Sequence, residues 1–385
     1  MIAFRASRLY TPVQQVAHPI LLVELGLIAE IRAQSTTAVP PNTQTVDLGD
    51  AILVPGYVDL HIHGAVGHDV MSADAAGLAA VEHFLATHGT TTYYPTTVTA
   101  PLDETLKALE RLATAIEDAR SRVPSGRARP AGIHLEGPFL SHACRGVHPQ
   151  KDLLTPSLQI FDRMWEAAQG QVRFLTIAPE LPGALEVIAE ASRRGVCVSL
   201  GHSDADLEAT QAAVEAGARH ATHTFNAMRP LHHRDPGIIG QVLTDNRLSA
   251  DIIADGIHLS PAIVRLFLDC KKADSAVLIS DATAATGMPD GLYRLGTLEV
   301  EVKGGRCLVD GKLAGSVLTL DRAVRNVMIF ADWDLEQAVR LATLNPAQVA
   351  GLPDRGTLQP GAAADFVALD AEGMVRNVYV GGVPV

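Results

Sequence analysis

The chain has 385 residues, 47% hydrophobic and 19% charged, with a formal net charge of −12. That much apolar material excludes a disordered polymer, and the acidic balance excludes a general nucleic-acid or anionic-membrane surface, which needs a basic field. No apolar run reaches the roughly 18 residues of a membrane span, and the opening MIAFRASRLYTP lacks the apolar centre of a secretion signal, so a cytoplasmic protein is expected.

The first fifty residues read as short strands, Ile2–Ala6, Pro19–Glu24 and Ile28–Arg32, separated by turns. From Ile52 a different rhythm begins, in which β-rich runs alternate with alanine- and leucine-rich segments whose spaced apolar positions give one buried helical stripe. The expected strands are Ile52–His61, Thr90–Thr96, Gly132–Glu136, Val172–Ala178, Val196–His202, Ala221–Phe225, Ser249–Ala254 and Ala276–Asp281. The expected helices include Ala75–His88, Leu102–Arg120, Gly183–Arg194, Asp204–Ala216 and Pro261–Lys272, with Ser203-Asp204 and Ser260 as caps. Eight such strands predict an α/β fold with a closed (β/α)8 barrel of the TIM type. After the eighth, Gly296–Gly311 alternates as a hairpin turning at Gly304-Gly305, and the tail holds two further alternating runs, Asp365–Leu369 and Val375–Val380. Both chain ends, 1–52 and 352–385, are therefore expected to build one small β-sandwich domain beside a barrel over 53–351, with the hairpin inserted near 293–316. The four cysteines lie far apart, with no C-x-x-C pair, and read as reduced structural thiols.

Active sites of such barrels lie at the C-terminal ends of the strands. The first run ends in Asp59-Leu-His61-Ile-His63, the third in His134-Leu-Glu136, the fifth in His202, the sixth in His223 and the eighth in Asp281. His61 and His63, two apart on a strand, face one way and can share an ion. A lone H-x-H is weak evidence, since polar residues at strand ends often bond only to backbone or water; five strands converging on one rim make a metal centre the better reading. Imidazole and carboxylate donors suit zinc or iron, with manganese or cobalt also compatible, as one or two divalent ions. Glu136 can bridge two of them. The modified lysine that serves elsewhere has no candidate here, because none of the six lysines ends a strand. Asp281 could cap a helix, but facing the activated water it suits proton transfer to the leaving nitrogen of an amide.

The ordered motifs HLEGPF, GVHP, LGHSDA, THTFNAM, RDPG, DGIH, SDAT and LAGS, opened by PGYVDLHIHG, resemble the N-acetylglucosamine-6-phosphate deacetylases of the amidohydrolase superfamily over about residues 52 to 350. The resemblance implies that Glu136, His202 and His223 are the shared metal ligands, with His61 and His63 the pair found in members that hold a second ion. It implies that Asp281 is the catalytic acid/base. His148 would contact the sugar and polarise the amide carbonyl, and Asn226 and Ala227 would touch substrate. Arg234 and His258 would hold the phosphate from the neighbouring subunit, which implies a homodimer acting on an amino-sugar phosphate without nucleic-acid or membrane partners. His232 and His233 receive no role, and His68 differs from the residue common in relatives. The glucosamine and galactosamine epimers both remain open, as does another amidohydrolase acting on a non-phosphorylated amide. A silent sugar-phosphate sensor is disfavoured by the complete metal set.

Overall fold

Eight apolar runs form the parallel staves of one barrel: β1 (Tyr57–Ile62), β2 (Thr90–Thr97), β3 (Ile133–Glu136), β4 (Val172–Ile177), β5 (Cys197–Leu200), β6 (His220–Ala221), β7 (Ala250–Ile252) and β8 (Ala276–Leu278). The structure is a computed structural model describing residues 1–11, 14–33, 39, 41, 43–122 and 126–385. Parallel ladders join β1 through β6 in order, and another joins β7 to β8. The Ala221 N–H donates to Ser249 O at 3.0 Å between β6 and β7, and a parallel bridge between Ile62 and Ala282 closes the ring. All six residues of β1 and all eight of β2 are buried, as strands covered on both faces must be.

The helices between them are α1 (Ala75–Thr87), α2 (Leu102–Ser121), α3 (Leu158–Ala167), α4 (Ala184–Arg193), α5 (Leu207–Ala216), α6 (Gly237–Thr244) and α7 (Pro261–Ser275), and α8 (Leu320–Ala331) follows β8. The cap of α5 corrects the expectation at Ser203-Asp204. Asp206 takes that place, accepting from the Ala209 N–H at 2.9 Å, because Glu180 engages the Ser203 hydroxyl at 2.8 Å and the Asp204 N–H at 2.6 Å.

Two strands differ from their sequence reading. The run from Ile52 to His61 breaks at Gly56, where a Cβ would lie 2.1 Å from Thr91 Oγ1. Ile52–Pro55 instead pairs antiparallel with Phe366–Leu369 from the chain's other end. The sixth run pairs only at His220–Ala221, because His223, Phe225 and Ala227 adopt positive φ (32°, 79° and 51°) and leave the extended region.

Both chain ends build two sheets, one ordered Leu27–Ala33, Pro19–Glu24, Ile2–Arg5, Gln44–Asp47, the other containing Val375–Val380, Phe366–Leu369, Ile52–Pro55 and Arg8–Thr11. Phe4, Phe366 and Tyr379 fill the space between them, with ring centroids 4.7 to 4.9 Å apart. The segment after β8 is more than a hairpin: Gly291–Leu295, Leu298–Lys303, Arg306–Val309 and Lys312–Leu313 make a four-stranded antiparallel sheet. Its Leu295, Val300, Val302 and Cys307 pack on Met71, Val98 and Ala100, placing it over the C-terminal end of the barrel. All four cysteines are free, and among the described residues no helix is long and apolar enough to cross a membrane.

Candidate active site

At that end a cavity of about 210 Å³ opens, lined by His63, Glu136, His148, His202, His223, Asn226, Ala227, His258 and Asp281 together with Leu295, Leu313 and Gly315 of the inserted sheet. His61 lies just beneath, fully buried. Glu136 is the hub. Its Oε1 lies 3.0 Å from His202 Nε2 and 3.1 Å from His223 Nε2, while Oε2 lies 3.4 Å from His63 Nε2 and 3.5 Å from His148 Nε2. Asp281 Oδ1 stands 3.2 Å from His63 Nε2 and 3.4 Å from His61 Nε2.

Backbone carbonyls set the ring orientations. His63 Nδ1 is 3.0 Å from Thr96 O and His202 Nδ1 is 3.1 Å from Cys144 O. A carbonyl can only accept, so each Nδ1 carries the proton and each Nε2 turns its lone pair inward. His202, His223 and Asp281 all hold positive φ (49°, 32° and 48°), local strain that the surrounding packing maintains in order to aim these side chains.

This convergence fits a divalent cation. His202 and His223 bring their Nε2 atoms to 3.1 Å, as do His61 and His63. That spacing places unlike-charged protein groups and paired nitrogens where donors at roughly 2.1 Å from a common ion would stand. The electrostatics agree. Burial works to raise Glu136 and Asp281, but the histidines overcome it and hold Glu136 well below the usual carboxylate range and Asp281 down to about 2. Burial works to lower the histidines, yet Glu136 lifts His223 to about 9, and Asp281 with Glu136 lifts His63 well above its ordinary value. His202 goes the other way, down to about 4, because burial outweighs its Glu136 contact. Two ionised carboxylates thus gather positive charge about themselves, the role a metal fills. Two triads within ligand distance stand out, His61, His63 and Asp281, and Glu136, His148 and His202.

The remaining sequence candidates divide. Asn226 donates through Nδ2 to His223 O at 3.2 Å and, with Ala227, lines the cavity. His258 also lines it, anchored by Asp255 Oδ2 at 2.7 Å. Arg234 is exposed outside the cavity, its Nη1 2.9 Å from His233 Nε2. His134 does not join the cluster: its Nδ1 donates to Leu60 O at 2.9 Å and its Nε2 meets Thr176 Oγ1 at 2.8 Å inside the barrel. His68 stands at the mouth of α1, with its ring against Gly77.

Residues 52–385 match the model of the amidohydrolase family. The N-acetylglucosamine-6-phosphate deacetylase of Bos taurus is 42% identical over 350 residues, covering 87% of this chain and 84% of its own length. The chain belongs to the N-acetylglucosamine-6-phosphate deacetylase family of amidohydrolases. The N-acetylgalactosamine-6-phosphate deacetylase of Escherichia coli O157:H7 is 37% identical, with 98% of this chain and 97% of its own covered. An N-acetyl-D-glucosamine-6-phosphate deacetylase mutant from Mycobacterium smegmatis, in complex with N-acetyl-D-glucosamine-6-phosphate, superposes with a TM-score of 0.92 at 35% identity, covering 100% of this chain and 98% of that one.

Within this deacetylase family frame, three features of the site escaped sequence reasoning. Thr99 donates its N–H to His148 Nδ1 at 3.3 Å; nothing in a run of threonines marks one as a ring anchor. Asp251 accepts from the His223 N–H and from His220 Nε2; its place as the one charge in the apolar run SADIIA was a signal for a buried carboxylate with a role. Leu295, Leu313 and Gly315 complete the cavity wall, although the LAGS motif already contained the last two.

Proposed function

We propose that this protein hydrolyses the acetamido group of an N-acetyl amino-sugar 6-phosphate, N-acetyl-D-glucosamine 6-phosphate above all, to the amino-sugar phosphate and acetate. The observation that carries the reading is the meeting of Glu136, His202, His223, His61, His63 and Asp281 at one cavity in a chain whose relatives carry that activity in their names.

His61, His63, Glu136, His202, His223 and Asp281 would hold one or two divalent ions, zinc or iron by donor type. Such an ion supplies Lewis acidity toward water and the amide carbonyl. Asp281, held ionised by its neighbours, takes the proton of the attacking water and delivers it to the nitrogen as the C–N bond breaks. His148 accepts the Thr99 N–H at Nδ1, so its Nε2 keeps a proton and can donate to the carbonyl oxygen as charge develops there. Asn226, Ala227 and His258 line the space for sugar and phosphate. Exposed Arg234 suits phosphate capture by its guanidinium fork from one subunit of a homodimer to the other.

Acetate release tests the reading with enzyme stripped of metal and reloaded with zinc, iron, manganese or cobalt. Turnover confined to a phosphorylated N-acetyl sugar and restored by metal is expected, and the faster of the two epimers names the substrate, the galactosamine arm being warranted by the relative matched over 98% of this chain. Hydrolysis of unphosphorylated amides alone would overturn it.

A further inference from the structure

A second cavity, of about 420 Å³, lies at the opposite end of the barrel. Thr92 near the start of β2, Arg129-Pro130 paired beside it, and Arg173 at the start of β4 place it at the N-terminal ends of the strands, away from the metal-ligand cluster at their C-terminal ends. Five arginines line it, Arg120, Arg122, Arg129, Arg173 and Arg355, against one carboxylate, Asp354. In a chain with net charge −12 that is a local reversal of sign.

Three of the five are satisfied within the protein. Arg120 meets Glu117 at 3.2 Å and Gln171 at 2.8 Å, Arg122 meets Glu82 at 3.1 Å, and Arg355 meets Asp354 at 3.2 Å and Asp365 at 3.6 Å. The other two are not. Arg173 Nη1 donates only to the carbonyls of Gly170 and Val172, at 2.7 and 2.9 Å. Arg129 Nη2 is buried with no hydrogen-bond partner. Among the described residues neither guanidinium has a carboxylate within ion-pair distance. Burial lowers both from the usual guanidinium value, opposed at Arg129 by the more distant carboxylates of Asp365 and Asp354. A buried donor left unmade costs free energy, and a cavity lined by five guanidinium groups against one carboxylate matches the charge of a dianion.

We propose that this cavity is a binding site, separate from the catalytic one, for a phosphate-bearing small molecule whose dianionic phosphate is held by the arginines that line it, Arg129 and Arg173 among them. The volume accommodates a small metabolite ester as well as the bare ion, within the range of ordinary ligand pockets.

Isothermal titration of the metal-loaded enzyme at constant ionic strength, with inorganic phosphate in one arm and glucose 6-phosphate in the other, provides the test. Neither probe carries an amide, and the Arg129→Met, Arg173→Met double variant separates this cavity from the catalytic one. The wild type is expected to show a binding event that the double variant weakens by about tenfold or more, while kcat and KM for deacetylation stay within about twofold. Tighter binding of the ester than of phosphate identifies an organic ligand, and equal binding identifies the free ion. Unchanged binding in the double variant overturns the proposal. Should that variant fail to fold, tungstate soaked into crystals of the wild-type enzyme decides instead: an anomalous peak within the arginine-lined cavity supports the site, and its absence overturns it.

Discussion

Asp251 ties down the backbone of His223. One carboxylate oxygen accepts the His223 N–H, and the other lies 2.8 Å from His220 Nε2, whose Nδ1 meets Ser249 Oγ at 2.7 Å. His223 needs this support because its φ is +32°. The Asp251→Ala variant is expected to bind metal about 10- to 100-fold more weakly, the usual effect of losing a ligand's support, and to unfold more readily by roughly 3 kcal/mol as buried partners are stranded. Chelator competition and denaturant unfolding measure the two. Unchanged metal affinity would mean that packing alone holds the ring.

Asp281 is the proton carrier in the proposed reaction. Asp281→Asn keeps an oxygen at the position but cannot accept a proton, so turnover should fall by about 10²- to 10⁴-fold while the histidines and Glu136 retain metal. Metal content and acetate release on the same sample check this; a variant with near-normal kcat would remove Asp281 from the chemistry.

Arg234 lies outside its own cavity, which makes its action across a dimer testable by mixing. Arg234→Ala alone should raise KM for the phosphorylated substrate, and Asp281→Asn alone should be inactive. Reassorted together, half of the dimers are hybrids with one repaired site of two, giving about a quarter of wild-type activity from random mixing. Activity no greater than the sum of the parents would place Arg234 in its own subunit's site or in none.

Gly315 of the inserted segment has φ +64°, and a Cβ there would lie 2.5 Å from Thr283 Cγ2 and 3.0 Å from Asp281 O. Gly315→Ala should therefore displace Asp281, since both the backbone angle and the space oppose a side chain. A fall in kcat of about tenfold or more, with metal still bound, is expected; full activity would show that the inserted segment yields without moving Asp281.

Acid stability has a contribution from Asp321. Burial raises its carboxyl, but His88 Nδ1 at 3.3 Å, Thr319 and Arg325 Nη1 at 2.9 Å together bring it down to about 2. A folded value below the unfolded one means that the stabilisation is complete above about pH 4 and disappears as pH falls toward 2. Its full size is on the order of 2 kcal/mol. Unfolding of wild type and Asp321→Asn at pH 6 and pH 3 should show a difference that shrinks at the lower pH; a constant gap would show that Asp321 is not the titrating group.

The sequence alone determined the barrel and the chemical types at its rim. Eight apolar runs, five of them carrying a His, Glu or Asp to the rim, are a local signal, because a strand's length and the polar residue that ends it are both written in consecutive positions. Tertiary structure decided the rest. Glu136 meets His202 and His223 from strands 66 and 87 residues away, and which oxygen faces which ring depends on how the barrel closes. His258 lines the cavity with Asp255 holding its ring, the cap of α5 moves to Asp206 because Glu180 claims Ser203, and Arg129 and Arg173 come to one cavity only where β2 to β4 begin. Each outcome is a competition among partners distant in sequence for the same hydrogen bond or volume, and only the folded chain brings those competitors within reach.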